Sequence, residues 1–89
     1  MASKQNNAAW TEQDNCLYKS FRFADFSEAF AFMTRVALLA ERLDHHPRWT
    51  NEYNQVECWL STHSAGNKVT DKDRDMAQQI DRFVQEINS

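Results

Sequence analysis

Residues 25–44 read DFSEAFAFMTRVALLAERLD, and the spacing of the apolar side chains in this stretch frames the whole chain. Ala29, Phe30, Met33, Val36, Ala37, Ala40 and Leu43 recur at steps of three and four, which predicts one stripe of an amphipathic helix. Asp25 followed three residues later by Glu28 is a capping-box-like start, with Asp in place of the usual Ser or Thr. Pro47, the one proline, ends the helix near Leu43–His45, because the residue before a proline is driven out of the α region.

On the N-terminal side, AAWTE, then QDN, then CLYKSFRF predict a β-hairpin. Leu17, Phe21 and Phe23 share one face of its second strand. Lys19 interrupts that face and is expected to reach the edge of the sheet. On the C-terminal side, RWTNEYNQVECWLSTH (48–63) returns to a period of two, with a bend expected between Asn51 and Asn54. Val56, Cys58, Leu60 and Thr62 fall on one face, and Glu57, Trp59, Ser61 and His63 on the other. SAGNK is a loop. VTDKDRDMAQQIDRFVQEI (69–87) is a second helix, with Thr70 as N-cap, Asp73 at the third helical position and a stripe of Met76, Ile80, Phe83, Val84 and Ile87. The predicted order is ββαββα: an α+β fold with an antiparallel sheet and both helices packed on one face.

At 89 residues the chain is expected to be a single domain over 1–89, with 1–8 a flexible lead. A domain of this size hides roughly 60–65% of its unfolded surface, a narrow margin that association into oligomers would widen. Cys16 and Cys58 form no metal-binding spacing, and with no secretion signal they read as reduced cysteines of a cytoplasmic protein. The opening MASKQNNAAW has no apolar core and no later run is long enough to cross a bilayer, so no membrane partner is expected. A formal net charge of −3 with no basic stripe argues against a nucleic-acid partner.

The three histidines, His45, His46 and His63, fall at the end of the first helix and the end of the long strand. Element ends are where side chains share a cleft, and imidazole is the side chain best suited to moving protons near neutral pH. Glu41 lies four residues before His45, on its face if the helix lasts that long. Each residue also has a plainer reading. The paired histidines can satisfy the last helical carbonyls, Asp73 can be the capping partner of Thr70, Glu41 can be an exposed helical acid, and Trp10, Trp49 and Trp59 can be core. A zinc site built from the three imidazoles is the sharpest alternative, although adjacent histidines usually point apart. There is no phosphate-cradling glycine loop and no Gly-x-Ser-x-Gly elbow, which leaves out nucleotide hydrolysis and serine esterase chemistry.

AERLDHHPRWTNEYNQVECWLSTH, with Asp73 ten residues beyond His63, resembles the pterin-4a-carbinolamine dehydratases. The shared pattern is an acid, three residues, His-His-Pro, an aromatic, a histidine ending a strand and an aspartate. Here these are Glu41, His45, His46, Pro47, Tyr53, His63 and Asp73. The likeness extends through FRFADFSEAFAFMTRVALLAE and VTDKDRDMAQQID; it departs at SAGNKVT, where many relatives have a glycine pair followed by leucine. The resemblance implies removal of water from 4a-hydroxytetrahydrobiopterin to give the quinonoid dihydropterin, without metal or organic cofactor. By the same match His45, His46 and His63 surround the pterin as acid, base and orienting donor. His63 and His45 are favoured for the proton transfers and His46 for holding the ring. Glu41 and Asp73 orient the histidines, Asp44–His46 and Ser61–His63 (through Thr62) contact the substrate, and Trp49 walls the pocket. Family members form dimers or tetramers, and animal members also serve as a dimerisation cofactor of a transcription factor. Phe30, Phe32 and Met33 are the candidates here for such a protein contact.

Overall fold

The computed structural model describes residues 8–88, so the expected flexible lead over 1–8 falls, but for Ala8, outside the described residues. Two hairpins and two helices follow the predicted order. Strands β1 (Thr11–Gln13) and β2 (Cys16–Arg22) join through Asp14 and Asn15, both at positive φ (51° and 65°). A two-residue turn with both residues left-handed matches the twist of its strands, and Asp and Asn tolerate that region better than most. Strands β3 (Arg48–Glu52) and β4 (Gln55–Leu60) close through Tyr53 and Asn54, which is the bend expected between Asn51 and Asn54. The antiparallel sheet runs β1-β2-β4-β3, with Leu17 opposite Leu60 and Phe21 opposite Val56 at its centre.

Alternation in β2 and β4 buries Leu17, Phe21, Val56, Cys58 and Leu60 on one face, together with Phe23 just past β2. Helix α1 (Phe26–Leu43) covers that face. Its cap is as expected: the Asp25 side chain accepts from the Glu28 backbone N–H at 2.9 Å, while Glu28 accepts from the Ala24 N–H at 2.9 Å. The buried stripe is rotated from the one predicted. Ala29, Phe32, Val36, Leu39 and Ala40 are buried, whereas Phe30 is 56% exposed and Ala37 and Leu43 are also exposed. The reason is that α1 is apolar around more than half its circumference, so a stripe can be drawn at two phases. Tertiary packing selects one of them, seating Phe32 with ring centroids 4.8 Å from Phe21 and 5.0 Å from Phe23. Burying a phenylalanine this way is worth about 1.5–3 kcal/mol.

Helix α2 (Asp71–Asn88) lies beside α1 and buries Met76, Ala77, Ile80 and Val84. It also corrects the reading of Lys19. That residue does interrupt the apolar face, but β2 is an inner strand flanked by β1 and β4, and the lysine side chain is 4% exposed rather than at the sheet's edge. Its Nζ lies 3.0 Å from Asp81 Oδ1 on α2 and 5.1 Å from the Phe21 ring centroid. Trp10 Nε1 donates to the same carboxylate at 3.1 Å. An ammonium taken out of water without a partner costs several kcal/mol, so the inner position is tolerable only because α2 presents an acid opposite it.

Both cysteines are free thiols. Burial pushes Cys58 up from 9.0 to about 12. The folded thiol therefore stays neutral where the unfolded one ionises. Its contribution to stability is full below about pH 9 and is lost as pH climbs toward 12. At pH 8 a thiol reagent is expected to leave Cys58 unmodified in the native chain and to reach it only on unfolding; modification of the folded protein at Cys58 would contradict this packing.

Candidate active site

The end of α1 determines where two of the three histidines go. Asp44 sits in the left-handed region (φ 50°, ψ 46°), with its N–H directed at Ala40 O and Glu41 O, and the His45 N–H reaches Ala40 O at 3.0 Å. This is a Schellman closure with aspartate where glycine is usual. The helix is thus stopped at Asp44, with Pro47 following as a second barrier. Because helical geometry ends before His45, Glu41 does not share its face. Glu41 Oε1 instead lies 2.6 Å from His46 Nε2, an exposed pair.

His45 goes to α2. Its Nε2 lies 2.6 Å from Asp73 Oδ1, the histidine side chain being 12% exposed and the aspartate side chain wholly buried. Asp73 Oδ2 accepts from Thr62 Oγ1 at 2.8 Å and from the Thr70 backbone N–H at 2.8 Å. Asp73 thus meets both the Thr70 N–H, as a capping partner, and the His45 imidazole, while the Thr70 hydroxyl turns to Thr62. One oxygen closes the first turn of α2, where the helix dipole favours a negative charge, and the other takes the imidazole. A carboxylate only accepts, so Nε2 carries the hydrogen in this contact, and Nδ1 has no partner among the described residues.

His63 opens a single 3-10 turn (His63–Ala65) just past β4. Gly66 (φ 81°) and Asn67 (φ 60°) follow in succession in the left-handed region. Asparagine tolerates that region, so the loop keeps a conformation that a glycine pair would also adopt. Asn67 adds something a glycine does not: its Oδ1 lies 3.0 Å from His63 Nδ1, an orienting contact that sequence reasoning missed. His63 Nε2 has no partner among the described residues.

His46 and His63 open on one cleft of about 410 Å3, lined also by Arg48, Trp59, Ser61 and Asp14. His45 lines a second cleft of about 280 Å3 with Leu43, Lys72 and Gln79. The larger cleft lies on the sheet face that the helices leave open, where Arg48 stacks 4.4 Å from the centroid of Trp59. Ser61 is where the strand alternation predicted it, beside Trp59 and His63. Trp49 is on the other face, half-buried against the hydrophobic core, whereas Trp59 and Arg48 line this cleft. Thr62 is 5% exposed, and Asp44 is exposed at the helix end. Arg48 reaches the cleft because it pairs with Trp59 across the β3–β4 hairpin, a register that neither strand carries in its own sequence. Among the described residues, no group of three or more histidine, cysteine, aspartate or glutamate side chains is placed to hold a metal ion. The three imidazoles are thus not arranged as a zinc set. No described helix is long and apolar enough to cross a membrane.

Comparison with known proteins gives this arrangement a family. A curated protein of Rhodopseudomonas palustris, named "Putative pterin-4-alpha-carbinolamine dehydratase", is 53% identical over 75 residues, covering 82% of this chain and 73% of its own length. One of the same name from Prochlorococcus marinus is 42% identical over 80 residues, covering 90% and 83%. The crystal structure of a "transcriptional coactivator/pterin dehydratase" from Brucella melitensis superposes with a TM-score of 0.82 at 43% identity, over 92% of this chain and 88% of that one. A pterin dehydratase-like RuBisCO assembly factor of the alpha-carboxysome shares the fold, with a TM-score of 0.77 at 23% identity over 89% and 93%. The sequence profile described as pterin 4 alpha carbinolamine dehydratase matches residues 1–83, and the chain belongs to that family.

Proposed function

We propose that this chain catalyses the dehydration of 4a-hydroxytetrahydrobiopterin to quinonoid dihydrobiopterin, in the cytoplasm, as part of tetrahydropterin recycling after aromatic amino acid hydroxylation. The bond from the 4a carbon to its hydroxyl breaks, and the oxygen takes a proton and leaves as water. The neighbouring ring N–H gives up a proton while the nitrogen lone pair forms the new double bond. One group must supply a proton and one must accept it, and a positioned imidazole does either for about 10²–10⁴-fold. His63 and His45 are assigned these roles, with His46 holding the ring and Glu41 and Asp73 orienting His46 and His45. The observation that carries the reading is that His46 and His63 open on one cleft, while His45, the residue before His46, is held by the wholly buried Asp73 carboxylate and lines a second cleft.

The test is the rate of dehydration of the hydroxylated pterin with and without the protein. A rate clearly above the spontaneous one is expected, and EDTA is expected to leave it unchanged. No acceleration would end the dehydratase reading, and loss of activity in EDTA would end its metal-free form.

A second reading, a protein-binding module such as a dimerisation cofactor of a transcription regulator, is favoured by the outer side of α1. Of the three residues expected there, Phe32 is wholly buried and Met33 is half-buried, but Phe30 is exposed and stacks 5.7 Å from exposed Phe26, with Leu38 65% exposed on the same helix. A homo-oligomer, dimer or tetramer, would cover such a patch equally well. A solution mass above that of one chain supports self-association. A complex with a partner helix that survives replacement of all three histidines would favour the binding module instead.

A further inference from the structure

The resemblance places Thr62 among the residues that contact substrate, yet every polar atom of Thr62 is already committed within the protein. Its backbone N–H donates to Lys68 O at 2.8 Å, and its carbonyl accepts from the Ala65 and Asn67 N–H groups, both at 3.1 Å. Its Oγ1 donates to Asp73 Oδ2 at 2.8 Å and lies 2.6 Å from Thr70 Oγ1. The residue is 5% exposed. A threonine hydroxyl has one hydrogen, and Asp73 takes it, so the Thr70 hydroxyl must be the donor in the second contact. The chain of donors runs Thr70 O–H to Thr62 Oγ1, then Thr62 O–H to Asp73 Oδ2.

We propose that Thr62 is a positioning residue that couples the two imidazole-bearing segments: its hydroxyl fixes the Asp73 carboxylate that holds His45, while its backbone anchors the loop that begins with His63. The chemistry follows from counting acceptors. With Oδ2 saturated by Thr62 and by the Thr70 N–H, the carboxylate cannot rotate without breaking two buried hydrogen bonds, and Oδ1 is left facing His45. His45 is thereby kept with hydrogen on Nε2 and a free lone pair on Nδ1 in its neutral form. The same threonine closes the loop from 62 to 68 through its N–H and carbonyl, so the segment just past β4 carries both the hydroxyl and the start of the His63 turn in adjacent residues. The signal was present in the sequence as alternation, since Thr62, two residues past β4, continues the buried period of Val56, Cys58 and Leu60, and a buried hydroxyl needs a partner.

The catalytic consequence rests on the dehydratase reading, so the experiment has one arm that does not. Thr62→Val keeps the shape and removes the hydroxyl; Thr62→Ser restores it. In the nitrogen-15 NMR spectrum of the whole chain, His45 is expected to show hydrogen on Nε2. Thr62→Val is expected to lose or broaden that Nε2–H signal, and Thr62→Ser to recover it. In the dehydration assay Thr62→Val is expected to lower kcat about 10- to 100-fold with KM within threefold, the size seen when hydrogen-bond partners of metal-bound histidines are removed. Thr62→Ser should return most of the rate. If Thr62→Val does not fold, Thr70→Val, which removes only the upstream donor, is expected to perturb the same signal, and an unchanged His45 spectrum in it overturns the proposal. An unchanged His45 spectrum or kcat in folded Thr62→Val overturns it, as does a KM effect of the kind a substrate contact gives, or failure of serine to rescue. If the wild type does not dehydrate the pterin yet the His45 signal depends on Thr62 as stated, the dehydratase reading fails and the coupling stands.

Discussion

His63→Ala is expected to lower the dehydration rate by about 10²–10⁴-fold while leaving the melting temperature nearly unchanged. The size follows from what the residue offers. Asn67 occupies Nδ1 at 3.0 Å, so the ring is held, and the nitrogen left without a partner among the described residues belongs to a residue lining the cleft. Alanine removes the imidazole to which the proposed proton transfer is assigned. The small stability effect follows because His63 is exposed and lies past the end of β4, outside the core. Surface substitutions of this kind usually fall within about 0.5 kcal/mol. A folded His63→Ala protein that keeps its rate within threefold would show that His63 is not a proton carrier. His46→Ala makes a useful comparison, since a ring-holding residue should appear mainly in KM.

Asp73→Asn is expected to cost a similar factor, about 10²–10⁴-fold, by a different route. The carboxylate accepts from three directions: His45 Nε2, Thr62 Oγ1 and the Thr70 N–H. An amide has one oxygen and one NH2. Two donors sit at the Oδ2 position and one at the Oδ1 position, so the amide oxygen belongs at Oδ2 and its NH2 then faces His45. The imidazole must answer by accepting at Nε2 and moving its hydrogen to Nδ1. The geometry is preserved and the tautomer is wrong, a change that costs about 10⁴-fold when the orienting aspartate of a serine protease triad becomes asparagine. The rate and the His45 ring nitrogens should therefore change together. Retention of Nε2–H in a folded, fully active Asp73→Asn protein would remove Asp73 from the machinery. Asp73→Ala is the poorer test, because it leaves three buried or half-buried donors unsatisfied and unfolding would dominate the result.

Much of the fold can be read from the chain because its signals are local. The Asp25–Glu28 cap, the hairpin linked within QDN and the two-residue period of 55–62 depend on neighbours in sequence, and all appear, with Gln13 taken into β1. The rotated face of α1 and the buried position of Lys19 were not legible, since each depends on a partner elsewhere. Phe32 was selected over Phe30 by Phe21 and Phe23, and Lys19 is stabilised by Asp81 on a helix far along the chain. The candidate site divides in the same way. That histidines gather at element ends was apparent from spacing. That Glu41 pairs with His46, that Asp73 takes His45, and that Arg48 and Trp59 build the cleft all depended on the left-handed turn at Asp44 and on the β3–β4 register.

The order β1-β2-β4-β3 also bears on how the molecule assembles. Each hairpin closes through two residues and needs only local chain motion, of the order of 1–10 μs. The pairing of β2 with β4 is different, because it joins the two hairpins across a loop that contains all of α1. That seam is the nonlocal event in the sheet, where loop-closure entropy is spent before contacts return it. Thr62 and His63 follow directly from the β4 side of the seam, and Asp73 arrives only when α2 docks beside it. Substitutions at Phe21 or Val56 should therefore slow folding, whereas changes at the Tyr53–Asn54 tip should mostly alter unfolding. The Asp73 contacts with His45 and Thr62 therefore join three segments that meet only once α2 has docked beside the sheet.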